Sequence, residues 1–282
     1  MKNFFAFLCI ILLAVSNCIA QSQAKLPEKK LKDIAYGSFP SSKMDVYLPA
    51  GRNQHTPFVI VIHGGAWIEG DKSFDTPTQD SLLAHGIASA NIDFRFIDSV
   101  VNHVQILADI DSAVDYCVAH AEEWGTRSNG FTTNGASAGG NLALLYGYTS
   151  NKKINAIVAE CPPTDLADTA TLGIVTKEGL LSVVEGFGGG KYTPGKPAPA
   201  GYADASPVYH LKNIPVLVIQ GTADKVVPFS QSVELDKLLT EKDITHKFIP
   251  IKGADHDLNM RNPATRKMIY REFIAWVQKY GK

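Results

Sequence analysis

Residues 132–145 read TTNGASAGGNLALL. Strand-like residues give way here to helix-like ones, and one serine, Ser137, stands at the change among glycines and alanines. The spacing Gly135-Ala136-Ser137-Ala138-Gly139 is GxSxG. A strand that turns at once into a helix strains the residue at the turn and projects its side chain from the sheet edge. Only small neighbours let such a turn close. The N–H of Ala138 then faces the same space, and the helix N-terminus adds partial positive charge there. A tight turn with an inert serine has the same local pattern, so the context decides.

That context alternates strand-like and helix-like runs. KMDVYLP (43–49) alternates as a half-exposed strand should, and FVIVIHGG (58–65) is a continuous run suited to a strand covered on both faces. Further strands are expected at 87–96, 130–137, 154–162, 215–224 and 246–253. Helices are expected at 103–125, 138–150, 229–242 and 264–280. Such alternation implies an α/β fold, with a mostly parallel sheet and helices on both faces. Between Asp165 and Pro215 neither period is clear, around GFGGGKYTPGKPAPAGY (186–202). A stretch of that length suits a lid or small cap insertion, about 166–206. Gly190-Lys191 is not a phosphate loop, because Glu185 stands where the motif starts with glycine and Tyr192 where it needs serine or threonine.

The chain has 282 residues, 45% of them hydrophobic and 20% charged, and a formal net charge of −1. It carries no run of basic residues, so no nucleic-acid partner is expected. The first residues, MKNFFAFLCIILLAVSNCIAQSQ, place one lysine before an apolar run from Phe4 to Val15. The run is short for a membrane span and fits a signal peptide over 1–20, cleaved before Gln21, so stable membrane insertion is not expected. Lipidation at Cys18 is the less favoured alternative, since Asn17 precedes the cysteine. The expectation is an exported protein, periplasmic or extracellular, with one catalytic domain over 21–282. Cys117 and Cys161 remain after cleavage and read as two separate buried thiols, without metal-type spacing.

A serine hydroxyl needs a base, and the base an orienting acid. Of eight histidines, His256 in KGADHDLN follows the last strand, on the edge where active sites of open α/β sheets gather. His103 and His120, at the ends of a helix, read most simply as surface residues. Asp224 in QGTADKVVP ends the preceding strand at the same edge. The order Ser137, Asp224, His256 is the one this architecture uses. Asp255 and Asp257 flank His256, but adjacent side chains point away from its ring. HGGAW (63–67) follows the buried strand, and its small residues let backbone N–H groups approach a carbonyl oxygen. Gly65, Ala66 and Ala138 are the expected oxyanion donors. Trp67 is expected as a wall of the substrate pocket, and His63 as a brace for the loop.

HGGAW, GASAG, ASPVYHLKNIPVLVIQGTADKVVPFSQS and the late GADHD resemble the α/β-hydrolase superfamily. Within it they are most similar to secreted bacterial carboxylesterases of the acetylxylan and feruloyl esterase-like group. The resemblance covers about residues 33–280. It implies a central eight-stranded, mostly parallel sheet, with Ser137 as nucleophile, Asp224 as acid and His256 as base. Many relatives have a third glycine where Ala66 stands, and histidine where this chain has Gln220, which touches only local bracing.

The expected activity is hydrolysis of small acyl esters through an acyl-enzyme, requiring neither metal nor organic cofactor. The expected substrate is a small acyl ester or an acylated oligosaccharide carrying acetyl or feruloyl groups. The cap aromatics Phe187, Tyr192 and Tyr202 either line the pocket or simply pack. A peptidase or amidase would use the same triad. A binding protein on a hydrolase scaffold should have lost one of its members, and all three are kept. The oligomeric state is left open.

Overall fold

The computed structural model describes residues 25–282; the expected signal peptide and Cys18 lie outside the described residues. Eight strands form one sheet: β1 (Lys29–Ala35), β2 (Lys43–Leu48), β3 (Phe58–Ile62), β4 (Ala88–Ile92), β5 (Phe131–Ala136), β6 (Ile154–Glu160), β7 (Val216–Gly221) and β8 (His246–Ile251). Their spatial order is β1-β2-β4-β3-β5-β6-β7-β8. β1 pairs antiparallel with β2, and β2 antiparallel with β4. Every other pair is parallel. This is the eight-stranded, mostly parallel α/β-hydrolase sheet that the resemblance implied.

The central strands are apolar on both faces because both faces are covered. Phe58, Ile60 and Ile62 of β3 enter one core cluster, and Val59 and Val61 enter the other. The first cluster receives α2 (His103–Ala119), α4 (Ala138–Thr149) and α8 (Phe229–Glu241). The second receives α1 (Thr76–Ala84) and α9 (Pro263–Tyr280). The run expected as one helix over 103–125 breaks at His120, where the short α3 (Ala121–Trp124) begins and ends on left-handed Gly125. Residues 166–206, expected as an irregular insertion, hold three short helices: α5 (Thr169–Lys177), α6 (Leu181–Gly188) and α7 (Ala200–Asp204).

The strands end sooner than their apolar runs suggest. β3 stops at Ile62, β7 at Gly221 and β8 at Ile251. The residues beyond them, 63–67, 222–228 and 252–259, become loops at one carboxyl edge of the sheet. Two glycines let α4 start at that edge directly after β5. A Cβ on Gly139 would lie 2.0 Å from the Ile62 carbonyl oxygen, and one on Gly135 2.4 Å from the Gly139 carbonyl. The helix therefore rests on the end of β3 with no room for a side chain between them.

A pair of acids lies beneath the same edge. Burial pushes the Asp75 carboxyl up to about 7. Burial, and then the Asp75 charge, push Glu160 to about 7 as well, against a hydrogen bond from Asn134 that favours its charged form. The folded state thus holds more protons than the unfolded chain between the ordinary carboxylate range and about pH 7, and stability falls as pH rises through that window.

Gly139→Ala should destabilise the fold by roughly 3 kcal/mol, near the upper end of overpacking costs, read as a lower urea midpoint; an unchanged midpoint would contradict the close approach. Glu160→Gln, which keeps an acceptor oxygen for Asn134, should flatten the loss of stability between pH 5 and pH 7.5. Parallel wild-type and variant slopes in urea titrations would show that Glu160 does not titrate in that range.

Candidate active site

Ser137 sits between β5 and α4 at φ 55, ψ −122, a conformation that a non-glycine residue holds at about 1–3 kcal/mol. The surrounding frame enforces it: the Ser137 N–H donates to Glu160 O at 2.8 Å, and Ser137 O accepts from Asn141 N at 3.0 Å. The residue precedes a helix, yet its hydroxyl makes no capping bond. The hydroxyl instead meets the ring of His256, with Nε2 2.9 Å from Oγ.

His256 Nδ1 lies 2.8 Å from Asp224 Oδ2. The Asp224 side chain is fully buried, whereas that of His256 is 25% exposed, so the ring can reach a bound molecule while its partner stays dry. Asp224 Oδ1 accepts the N–H groups of Val226 and Val227, each at 2.9 Å. Gln220 Nε2 donates to Oδ2 at 2.7 Å. Gln220 is itself set by Ser232, whose hydroxyl donates to Gln220 Oε1 at 3.0 Å. These bonds fix the carboxylate before it meets the histidine. The three expected residues are thus brought into one hydrogen-bonded chain. Asp255 and Asp257 are exposed beside the ring and pair with each other, the Asp257 N–H donating to Asp255 Oδ1 at 3.2 Å.

The loops of Asp224 and His256 are pressed together. A Cβ on Gly221 would lie 2.4 Å from Asp255 O and 2.5 Å from Ala254 O, and Ala223 N donates to Ala254 O at 2.8 Å. Sequence reasoning missed Gly221 as the residue that permits this contact, and it understated Gln220. An amide one residue before a glycine that ends a strand, four residues ahead of the acid, was the available signal.

Ala66 and Ala138 line the same cavity as Ser137. Among the described residues their N–H groups donate to no protein oxygen. Ala66 holds φ 51, the left-handed region where glycine is at ease, which accounts for glycine being a natural residue there. Gly65, at φ 111, is packed against Glu69, whose oxygen would lie 2.0 Å from an added Cβ, and it does not line the cavity. His63 is buried, stacked on Phe94 with ring centres 4.3 Å apart, and its Nδ1 lies 2.6 Å from Gly64 O. Burial pushes its pKa down, so His63 is a neutral brace.

Trp67 lines the cavity and stacks on Phe187 at 3.9 Å. Of the two readings of the cap aromatics, packing is the correct one. Phe187 and Tyr202 are fully buried, Tyr202 Oη donates to Gly190 O at 2.8 Å, and neither they nor Tyr192 line the cavity. Apart from Trp67, the walls are mainly aliphatic. His103 is likewise buried rather than at the surface, with Nδ1 2.8 Å from Phe187 O, tying α2 to α6.

Cys117 and Cys161 are both free and buried. Cys161 Sγ, a carboxylate oxygen of Asp224 and a ring nitrogen of His256 lie within 4.8 Å of one another. That donor set is poorly suited to a cation. Burial pushes the Cys161 thiol far up, keeping it protonated, and the Asp224 and His256 atoms are engaged with Gln220, Ser137 and each other.

The chain is similar to the esterase LipC of Mycobacterium tuberculosis, at 26% identity over 252 residues, covering 80% of this chain and 59% of that protein. It therefore spans about three fifths of that relative's length. Among solved structures it is similar to a truncated carbohydrate esterase from gut microbiota, at TM-score 0.73 and 20% identity, covering 90% of this chain and 97% of that one. It is also similar to esterase B of Lactobacillus rhamnosis, at TM-score 0.73 and 19% identity, covering 99% and 98%. The two structures establish a shared fold. Residues 44–239 match the model of the BD-FAE family, well over half of the chain, and the protein belongs to the BD-FAE family.

Proposed function

We propose that the protein is a serine carboxylesterase acting on small acyl esters. The hydrogen-bonded chain from Asp224 through His256 to Ser137 Oγ is the observation that carries this reading. The esterase name of the mycobacterial relative supports it.

In the first half-reaction His256 Nε2 takes the Ser137 proton as Oγ bonds to the ester carbonyl carbon. Asp224 holds the imidazole with its other N–H inward and stabilises the charged ring. The carbonyl oxygen becomes an oxyanion and turns toward the N–H groups of Ala66 and Ala138. The N-terminal end of α4 adds favourable potential at that point. Gly65, whose N–H among the described residues also donates to no protein oxygen, is the third donor. The bond to the alcohol oxygen then breaks, and that oxygen takes the proton from His256. In the second half water gives a proton to His256 and its oxygen bonds to the acyl carbon. Ser137 Oγ leaves, recovering the proton.

We assign the natural substrate to the acylated oligosaccharides, with acetyl and feruloyl the groups first expected. One structural neighbour is a carbohydrate esterase, which supports the sugar alcohol. The signal peptide read at residues 1–20 supports export, where such polymers are met. The aliphatic cavity wall favours an aliphatic over an aromatic acyl group.

Ser137→Ala should abolish hydrolysis of p-nitrophenyl acetate with an unchanged denaturation midpoint. Asp224→Asn should lower kcat by roughly 10⁴, as loss of the useful tautomer does in serine proteases. Release of nitroaniline from amino-acyl anilides at rates rivalling the ester would favour a peptidase, and full activity in either variant would contradict the assignment.

A further inference from the structure

A partly open cavity lies over Ser137. Ala66, Ser137 and Ala138 form one end. The cap contributes Val175 of α5 together with Leu180, Val183 and Val184 at the start of α6, and the Asp224 loop contributes Val226 and Val227. Two polar side chains also reach it, and both are already committed. Gln231 Oε1 accepts the N–H groups of Thr164 at 2.8 Å and Asp165 at 2.7 Å. Its Nε2 donates to Asp165 O at 3.2 Å and to Thr171 Oγ1 at 2.8 Å. Thr171 Oγ1 in turn donates to Asp168 Oδ2 at 2.7 Å. Among the described residues the enclosed indole N–H of Trp67 has no acceptor.

We infer that this cavity is the acyl-chain site and that it selects an unbranched aliphatic acyl group longer than acetyl, an inference that rests on the esterase reading above. An acetyl group leaves most of the aliphatic wall uncovered. A feruloyl group carries its phenol and methoxy oxygens into a lining where Gln231 and Thr171 are already engaged and the Trp67 N–H is enclosed, and a buried hydroxyl without a partner is strongly disfavoured. A butyryl or hexanoyl chain covers the valines and brings no polar atom with it. The cap helix α6 sets the length limit through Leu180 and Val183, which are both half-buried. Gln231 joins the stem of the cap to the first turn of α8, just beyond the Asp224 loop.

The test compares p-nitrophenyl acetate, butyrate, hexanoate and ferulate, with the alcohol held constant. In the wild-type protein kcat/KM should rise about fourfold per methylene from acetate to hexanoate, with ferulate below acetate. Val183→Phe should cut hexanoate at least tenfold while changing acetate less than threefold. Leu180→Ala, the second variant in case the first fails to fold, should move the optimum toward octanoate. Calorimetric titration of hexanoate into Ser137→Ala reads the cavity without turnover and should show binding that is weaker in the Ser137→Ala/Val183→Phe double variant. A flat acyl series, ferulate above hexanoate, or Val183→Phe lowering all esters alike would overturn the inference. Hexanoate binding in a protein inert toward every ester would sink the esterase reading and leave the acyl site standing; inertness without binding would sink both.

Discussion

The constraint on which the rest depends is the contact between α4 and the end of β3. With no side chain on Gly135 or Gly139, helix and sheet meet at backbone distance, and the chain must turn within one residue. That residue is Ser137, held at φ 55 by its bonds to Glu160 and Asn141. The strain has a geometric return. The hydroxyl, freed from capping the helix, stands clear of the sheet where a histidine from a distant loop can reach it. Among the described residues the adjacent N–H of Ala138 has no protein partner at the same point.

Asp224 and His256 are brought there by a second contact of the same kind. Gly221 lets the loop after β8 press on the end of β7, so Asp224 and His256 meet although 32 positions separate them. Rigidity then accumulates outward from the carboxylate: two backbone N–H groups, Gln220 and, behind it, Ser232. A charge held in this way needs little rearrangement when the imidazole becomes positive, which is the condition for effective electrostatic assistance.

Much of this is legible in the chain because it rests on local pattern. Buried parallel strands announce themselves as β-branched runs, and the small residues around Ser137 and in HGGAW mark backbone that must come close to something. What is not legible lies where the pattern is borrowed from elsewhere. β1 carries Lys29, Lys30, Lys32 and Asp33 because it is the exposed edge of the sheet, where charge discourages further pairing. α1 turns only Gln79, Leu82 and Leu83 inward, too few apolar positions to show a helical period. In the cap, α5 to α7 are short and separated by glycine and proline. Their aromatic residues face the core of the cap, and their valines face the cavity, a choice fixed by tertiary packing and not by residue type. Strand ends were also overrun, because the apolar runs continue into the loops that carry the site.

The most direct measurement is covalent trapping. A fluorophosphonate probe should add a single phosphonyl group to the peptide containing Ser137, located by tandem mass spectrometry, and the labelling should be lost in His256→Ala with the protein still folded. Labelling at another residue, or labelling of Ser137 that is indifferent to removal of His256, would contradict the account.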